Sequence, residues 1–445
     1  MTFSPEVLLA RITELSEVSG TPGRFVVAFS GGLDSTVLLH ALAVTRERHG
    51  VAMLAAYVDH GLQREAAAWA EHCKSFAAAH SIDFISQRVV VDPQSGSGLE
   101  AAARQARYAA LRNLLDSGDW LLSAHHQDDQ AETVLMNLMR GSGPAGLAGI
   151  GAIGRFAAGW LVRPLLDIPR SELRAYAATH SLRSITDPSN LNQQFDRNYL
   201  RHELMPRFEL RWPDAGKRIR RSAELAGEAA ALLAELAAVD AELLGERADR
   251  LSIAGLRKLS APRQRNVLRR VISQLGLPMP GAVHLDKVVT ELIEASNDAQ
   301  PLVAWPGVRA RRYRDQLYLL PADDLEPPAA ASQAISGDRV LLPGGLGLLV
   351  LEHGAGRGLS TALLSAGLEF RFRAGGERLR PYGHTHTKKL KKLLQEEGVV
   401  PWMRDRIPLV YAGDDLVAVA DLWIADGAAS EPGTAIRWRN RPPLH

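Results

Sequence analysis

At 445 residues, with 46% hydrophobic and 23% charged side chains, the chain is long enough for two or three packed cores and has the balance of a globular protein. The formal net charge is only +2, so a nucleic-acid role has to rest on local basic clusters and not on the total. The single cysteine, Cys73, excludes an internal disulfide and a multi-cysteine zinc or iron–sulfur site within one chain. No apolar run reaches the roughly 20 residues of a membrane span. Met1 to Gly20 reads as an amphipathic helix and not as a signal peptide, which predicts a cytoplasmic protein with no membrane partner.

Strands and helices then alternate. Phe25–Phe29, Met53–Val58, Phe84–Val91 and Trp120–Ala124 read as strands, and Ser35–Arg48, Arg64–His80, Leu99–Leu115 and Asp128–Arg140 as the helices that follow them. Repeated βα units with right-handed crossovers predict an α/β fold, a doubly wound parallel sheet with helices on both faces. Ligands in such sheets sit at the carboxyl ends of the strands, where Ser30, Asp59, Asp92 and His125 all fall. Leu161 to Trp212 completes this domain. From Asp214 to Arg247 an Ala/Leu/Glu-rich pattern predicts one helix of about 50 Å at ~1.5 Å per residue. Further helices start at Pro262 and near His284, and Val308–Leu320 alternates like a hairpin turning at Arg314-Asp315. Pro321 to Ser332 is linker-like. Val340–Leu351, Glu369–Arg373 and Leu409–Ile424 read as strands around one helix, Lys388–Glu397. The predicted domains are 1–212 (α/β, catalytic), 213–325 (mainly helical) and 333–445 (small α+β).

The most informative stretch is Val26 to Thr36. An apolar strand feeds Ser30-Gly31-Gly32-Leu33-Asp34-Ser35, and Val37, Leu38, Leu39 and Leu42 open a helix behind it. Glycines allow a tight turn and close backbone approach, and the helix start offers unpaired N–H groups with a positive dipole end. That makes a phosphate cradle, distinct from the lysine-bearing P-loop because no lysine follows the glycines. Asp34 stands where phosphate would sit; a bare carboxylate there is repulsive, so a divalent cation is expected between the two. An ordinary capped strand–turn–helix joint is the alternative that the full string disfavours.

Three further constellations reach the same rim. His125-His126-Gln127-Asp128-Asp129-Gln130-Ala131-Glu132-Thr133 opens a helix on which Asp129 and Glu132 share one face. Its acids suit Mg²⁺, the ammonium of a cationic substrate, or simple helix capping. Tyr57-Val58-Asp59-His60-Gly61-Leu62 ends the second strand, either as an Asx-capped turn or lining an adenosine site. Arg104 and Arg107 share a face of the third helix, as a solvated Glu100–Arg104 pairing or as guanidiniums that hold phosphate.

Beyond the first domain the basic residues gather into clusters: Lys217, Arg218, Arg220 and Arg221; Arg263, Arg265, Arg269 and Arg270; Arg309, Arg311, Arg312 and Arg314. The densest run, Arg380 to Leu394, places Lys388, Lys389, Lys391 and Lys392 on a short predicted helix suited to RNA phosphates.

The Ser30–Ser35 string resembles the signature of the PP-loop, or N-type, ATP pyrophosphatases. The ensemble is similar to the tRNA(Ile)-lysidine synthetase family within it. The likeness is carried by Ser30–Ser35, Tyr57–Leu62, Glu100–Tyr108, His125–Thr133, Arg140-Gly141-Ser142-Gly143, Arg163-Pro164-Leu165, Asp187–Asn190 and Arg197–Leu204. It continues through Arg378-Leu379-Arg380-Pro381, Lys388–Leu393, Pro401-Trp402 and Val417–Trp423. The sequence departs from the family pattern at Gly383–Thr387 and at Val399-Val400-Pro401.

The resemblance implies an adenine nucleotide alpha hydrolase-like fold. It also implies a ligase that joins free L-lysine to C2 of the wobble cytidine in the CAU anticodon of tRNA(Ile), using ATP and Mg²⁺ and releasing AMP and pyrophosphate. Decoding then changes from AUG to AUA. By motif, Ser30, Gly31, Gly32, Leu33, Asp34 and Ser35 would hold pyrophosphate, with Asp34 near the metal, and Asp59 and His60 would line the nucleotide. Arg104, Arg107 and His125 would stabilise phosphate and cytidine. Asp129 and Glu132 would take the lysine amine and Arg197 its carboxylate. The rivals are a cytidine thiolase, which needs reactive cysteines, an amidotransferase-type synthetase, and a non-catalytic tRNA-binding protein.

Overall fold

The computed structural model describes residues 2–61, 63, 65–91, 99–188, 192–244, 250–296, 301–322, 332–354 and 356–444, with 99 and 100 as backbone alone. Leu62, Asp92, the Glu100 side chain, Ser189, Asn190 and most of the linker-like stretch lie outside the described residues. The chain divides into two compact units, 1–232 and 233–445.

The first unit opens with α1 (Pro5–Ser19), β1 (Arg24–Ala28), α2 (Leu33–Val44), a short α3 (Arg46–His49) and β2 (Ala52–Asp59). Then come α4 (Ala66–Ala79), β3 (Asp83–Arg88), α5 (Leu99–Arg112), β4 (Trp120–Leu122) and α6 (Gln127–Met139). Among the described residues the sheet has six strands in the order β3-β2-β1-β4-β6-β5, where β5 (Ile153–Phe156) and β6 (Gly159–Val162) form an edge hairpin. β1 to β4 and β6 run parallel, and only β5 is antiparallel. Period-2 alternation builds a core on each face. Phe25, Val27, Met53 and Ala55 join α1, α2, α4 and α8 (Arg170–Thr179) on one side. Val26, Ala56 and Leu121 meet Leu111 of α5 on the other. The doubly wound arrangement is the expected one.

The expected Ser35–Arg48 helix instead starts at Leu33 and breaks at Thr45, whose hydroxyl donates to the Ala41 carbonyl, 2.8 Å away, inside the turn. Past a short α7 (Pro144–Leu147) and α8, the unit adds α9 (Asp196–Tyr199), a π-helical segment (Leu200–Leu204), α10 (Met205–Arg211) and the start of α11 (Ala215–Leu244).

In the second unit α12 (Ile253–Leu256), α13 (Ala261–Gln274) and α14 (Ala282–Lys287) pack on a four-stranded sheet among the described residues, ordered β7-β10-β9-β8. The expected hairpin is β9 (Val308–Tyr313) with β10 (Gln316–Pro321); β7 (Arg250–Ser252) and β8 (Leu302–Trp305) flank it unforeseen. Among the described residues the C-terminal part holds a large buried cluster around Phe370, Leu394, Val410 and Trp438, which Tyr318 of β10 joins. The expected Val340–Leu351 strand is two strands, Arg339–Leu341 and Leu348–His353, folded back at a turn where Gly344, Gly345 and Gly347 all have positive φ. Lys388 and Lys389 belong to a strand paired with Arg378–Leu379, so only Lys391 and Lys392 of the four lysines ride the helix Leu390–Glu396.

Several members of the basic clusters hold the fold together. Arg312 is 2% exposed and donates to the carbonyls of Leu292 and Arg314 at 3.2 Å. Arg263 pairs with the buried Asp240, and Arg220 with Asp167 and Glu224.

Candidate active site

The glycine loop forms because β1 ends under an anchor on each side. Phe29 N–H donates to Ala56 O (2.9 Å), and Ile185 N–H donates to Gly31 O (2.8 Å). Gly31 has φ +74°, and a Cβ there would lie 2.4 Å from Ile185 Cδ1 and 2.8 Å from Cys73 Sγ. Only glycine fits both the backbone and the space. Ser35 Oγ donates to Gly32 O (3.0 Å), Thr36 Oγ1 to the same carbonyl (2.9 Å), and Gly32 N–H to Ser30 Oγ (3.3 Å). The first intrahelical bond of α2 is Thr36 N–H to Gly32 O, so the N–H groups of Leu33, Asp34 and Ser35 precede the ladder and point out of the helix start. Cys73 is fully buried under this loop, and burial pushes its thiol up to about 12. It is packing, not a nucleophile.

Around the loop stands a network of charges. Asp34 receives Arg170 Nε at 3.3 Å, and His126 Nε2 lies 3.6 Å from its other oxygen. Burial alone would raise the Asp34 carboxyl, but the hydrogen bond and charge of His126, with Arg170, hold it below its ordinary value. His126 caps α6: its backbone N–H donates to Asp129 Oδ2 (3.0 Å), and Asp129 N–H returns a bond to Nδ1 (3.4 Å) in the neutral ring. Its Nε2 also lies 3.3 Å from Asp129. Burial works against the imidazolium, yet the three carboxylates of Asp34, Asp129 and Asp128 raise its pKa overall.

Asp129 and Glu132 share one face of α6 as expected, and both are buried. The guanidiniums of Arg197 (α9) and Arg201 (π-helical segment) close over them. Arg197 donates to Glu132 Oε2 (2.8 Å) and Asp129 Oδ1 (3.1 Å); Arg201 donates to Glu132 at 2.7 and 2.9 Å and to Asp129 at 2.9 Å. Burial penalises the Asp129 charge, but His126 and the two arginines hold its pKa down to about 2. This is a neutralised four-group cluster and not an open pair of acids. A bound ammonium group would share or displace arginine hydrogen bonds.

His125 sits beneath, its Nδ1 2.7 Å from Ser123 Oγ. Burial, with Arg163 and Arg104 adding to it, lowers its pKa to about 3, so at neutral pH it acts through hydrogen bonds and not as a cation. Arg104 stacks over Tyr108 at 5.0 Å and Arg107 over the same ring at 5.7 Å. Asp59 accepts the Gly61 N–H at 2.7 Å, the Asx turn that was one of its two readings, and lies 3.8 Å from Arg88. Burial first, then the charge of Arg107, lowers the His60 pKa. Of the distal basic residues, Lys217 and Arg220 line a cleft of about 880 Å³ together with Glu132, Arg170 and Arg201.

His126, Arg163 and Arg201 lie in motifs quoted from sequence but were given no role there, and Arg170 was not quoted at all. His126 follows a residue that was given one, and Arg201 lies four residues after Arg197, which puts both guanidiniums on one side. Arg170 had no local signal, because it meets Asp34 across 136 residues.

Three families match the chain in order: PP-loop domain over residues 6–208, TilS substrate binding domain over 251–318, and TilS substrate C-terminal domain over 368–439. The chain is similar over nearly its whole length to tRNA(Ile)-lysidine synthases. That of Alkalilimnicola ehrlichii is 44% identical over 97% of this chain and 96% of the relative. That of Coxiella burnetii is 40% identical over 96% and 94%, and that of Pectobacterium atrosepticum 41% identical over 90% and 91%. With a glycine-loop α/β unit and both substrate-domain families in the expected order, the chain belongs to the tRNA(Ile)-lysidine synthase family.

Proposed function

We infer that the protein adenylates the wobble cytidine of a CAU-anticodon tRNA(Ile) and replaces AMP with lysine, forming lysidine in the cytoplasm. The observation that carries this is the likeness to tRNA(Ile)-lysidine synthases over nearly the whole chain, in a protein whose loop carries Asp34 and whose α6 carries Asp129 and Glu132. The cytidine O2 attacks the α-phosphorus of ATP and pyrophosphate leaves; the lysine ε-amine then adds at C2 and AMP departs. Anion binding at the start of α2 suits the pyrophosphate.

Mg²⁺ fits as a shared ligand. Asp34 offers one carboxylate, 23% exposed, beside the open N–H groups, and the described residues hold no group of three metal-ligating side chains. One carboxylate plus phosphate oxygens is the usual way Mg²⁺ is held. When bound, it would neutralise charge developing on the leaving pyrophosphate. Arg104 and Arg107 would steady the phosphates, and His125 would hydrogen-bond the base as a neutral ring. Asp129, Glu132 and Arg197 would hold lysine after the cluster opens. Lys217, Arg218, Arg220, Arg221, Lys388, Lys389, Lys391 and Lys392 would contribute to tRNA binding, Arg220 the least because it is already paired. The buried Cys73 weighs against a thiolase.

The test is incubation with CAU-anticodon tRNA(Ile), labelled lysine, ATP and Mg²⁺. Lysine should enter the tRNA with AMP and pyrophosphate as co-products. Formation of ADP, or tRNA-independent turnover, would overturn the reading.

A further inference from the structure

Helix α5 carries Arg104, Tyr108 and Arg112 at i, i+4 and i+8, on one face. Arg104 lies over the Tyr108 ring at 5.0 Å, Tyr108 meets Phe156 edge-on at 5.7 Å, and Arg112 lies over the Phe156 ring at 5.5 Å. Phe156 ends β5, the edge strand of the sheet. Together they form a ladder of alternating cations and rings, Arg104–Tyr108–Phe156–Arg112. Both arginines are exposed, and among the described residues neither forms an ion pair. The inner end adjoins the active site. Tyr108 acts electrostatically on Arg163, and Arg163 and Arg104 both act on His125.

We propose that this ladder is the platform for the single-stranded RNA flanking the target nucleotide, with Tyr108 and Phe156 stacking bases, Arg112 holding RNA phosphate at the outer end and Arg104 kept at the reacting nucleotide. The proposal rests on the reading of the protein as a tRNA-modifying enzyme. A cytidine that reacts at C2 must be splayed out of the anticodon loop, and its neighbours then lose their own stacking partners. Aromatic rings interleaved with exposed guanidiniums supply replacements for both base and backbone. The Arg104 end of the ladder is the one that influences His125, and Phe156 and Arg112 form the other end. Charge argues for RNA over a protein partner, because exposed Arg112, with no carboxylate partner among the described residues, is costly to bury against an ordinary protein face but suits a polyanion.

Arg112 and Phe156 lie outside the reacting groups and are the residues to vary. Phe156→Leu keeps apolar bulk over Leu111 and Leu115 while removing the ring. Arg112→Ala removes one cation, and Arg112→Lys keeps the charge without the planar stack. Lysidine formation and direct filter binding are measured with full-length tRNA and with an anticodon stem-loop. Phe156→Leu should weaken RNA binding about 5- to 150-fold, the range for losing one base–aromatic stack. Arg112→Ala should flatten the salt dependence of log affinity by about 0.7, and Arg112→Lys should restore that slope. In both, KM for tRNA rises while KM for ATP and for lysine stays put. Wild-type RNA affinity and salt slope in Phe156→Leu and Arg112→Ala, with the wild-type enzyme making lysidine, would overturn the ladder alone and return it to surface packing. A wild-type enzyme that makes no lysidine would overturn the functional reading and this inference with it.

Discussion

Arg201 grips Glu132 at both carboxylate oxygens, Nε to Oε1 at 2.7 Å and Nη2 to Oε2 at 2.9 Å, with the Glu132 side chain 1% exposed. A planar fork on a carboxylate is the strong form of an ion pair, and the partners that are left behind when it breaks are buried. Arg201→Met should therefore destabilise the protein by about 2–3 kcal/mol. This is below the ~3–5 kcal/mol for a fully orphaned charge, because Arg197 still neutralises Glu132. Calorimetry should show a first transition lowered by about 4–12 °C. Glu132→Gln should impair lysine use more than pyrophosphate release, measured as a selective rise in KM for lysine. A Tm within 1 °C of wild type for Arg201→Met would show that the fork is energetically idle.

His126 gives this network a pH dependence. Asp34, Asp128 and Asp129 face its ring, Arg170 reaches Asp34, and Arg197 and Arg201 reach Asp129. Its pKa is raised above the ordinary 6.5, so the folded state binds the proton more tightly than the unfolded chain. The stabilisation is complete below that ordinary value and is lost as pH rises through the folded pKa. Wild type should lose more stability than His126→Gln as pH rises from 6.5 through the raised folded pKa, read as the change in urea midpoint. Asp129 acts in the opposite direction: its contribution holds above the usual carboxylate range and is lost as pH falls toward about 2. Parallel stability profiles for wild type and His126→Gln would show that the ring stays neutral throughout.

Gly31→Ala should remove ATP use and cost stability by two separable routes. The φ of +74° costs a Cβ-bearing residue roughly 1–2 kcal/mol, and the new methyl meets Ile185 Cδ1 at 2.4 Å. Adding Ile185→Ala should relieve the contact with Ile185 but neither the 2.8 Å approach to Cys73 Sγ nor the backbone term. The double variant should therefore bind ATP more weakly than Ile185→Ala alone, by isothermal titration. Equal ATP affinity in those two proteins would show that the loop tolerates a side chain at this turn.

The first unit was legible because each level of the sequence agreed: apolar runs at strand length, helices at period 3.6, and glycines at the turn after β1. Asp34, Asp129 and Glu132 were found from their place at strand ends and helix starts. Arg170 and Arg201 were not, since their meaning is a pairing across the fold and their local sequence reads as ordinary helix. The C-terminal part was least legible. Its strands run from two to six residues, too short for a periodic pattern to stand out from turns. Thr434–Arg439 could have been read: Thr434, Ile436 and Trp438 alternate inward, and the strand pairs along the whole of Leu348–His353. The arginine clusters misled because charge in sequence does not distinguish an exposed guanidinium from Arg312, which is spent on backbone carbonyls.

The C-terminal lysines now separate into unequal members. Lys388 is partly covered and donates to Glu396 at 2.9 Å, whereas Lys389, Lys391 and Lys392 are exposed. A lysine already paired with a carboxylate releases fewer counterions on meeting RNA, because part of its charge is neutralised beforehand. Lys389→Glu, Lys391→Glu and Lys392→Glu combined should weaken tRNA binding and flatten its salt dependence by about 2–3 units, at ~0.7–0.9 per phosphate contact. Lys388→Glu alone should change the slope by well under one contact's share. ATP binding should be unaffected in both. Filter binding across a salt series reads both effects on one plot. A wild-type slope in the triple variant would show that this surface does not meet tRNA, and a full unit lost in Lys388→Glu would show that its bond to Glu396 opens when RNA binds.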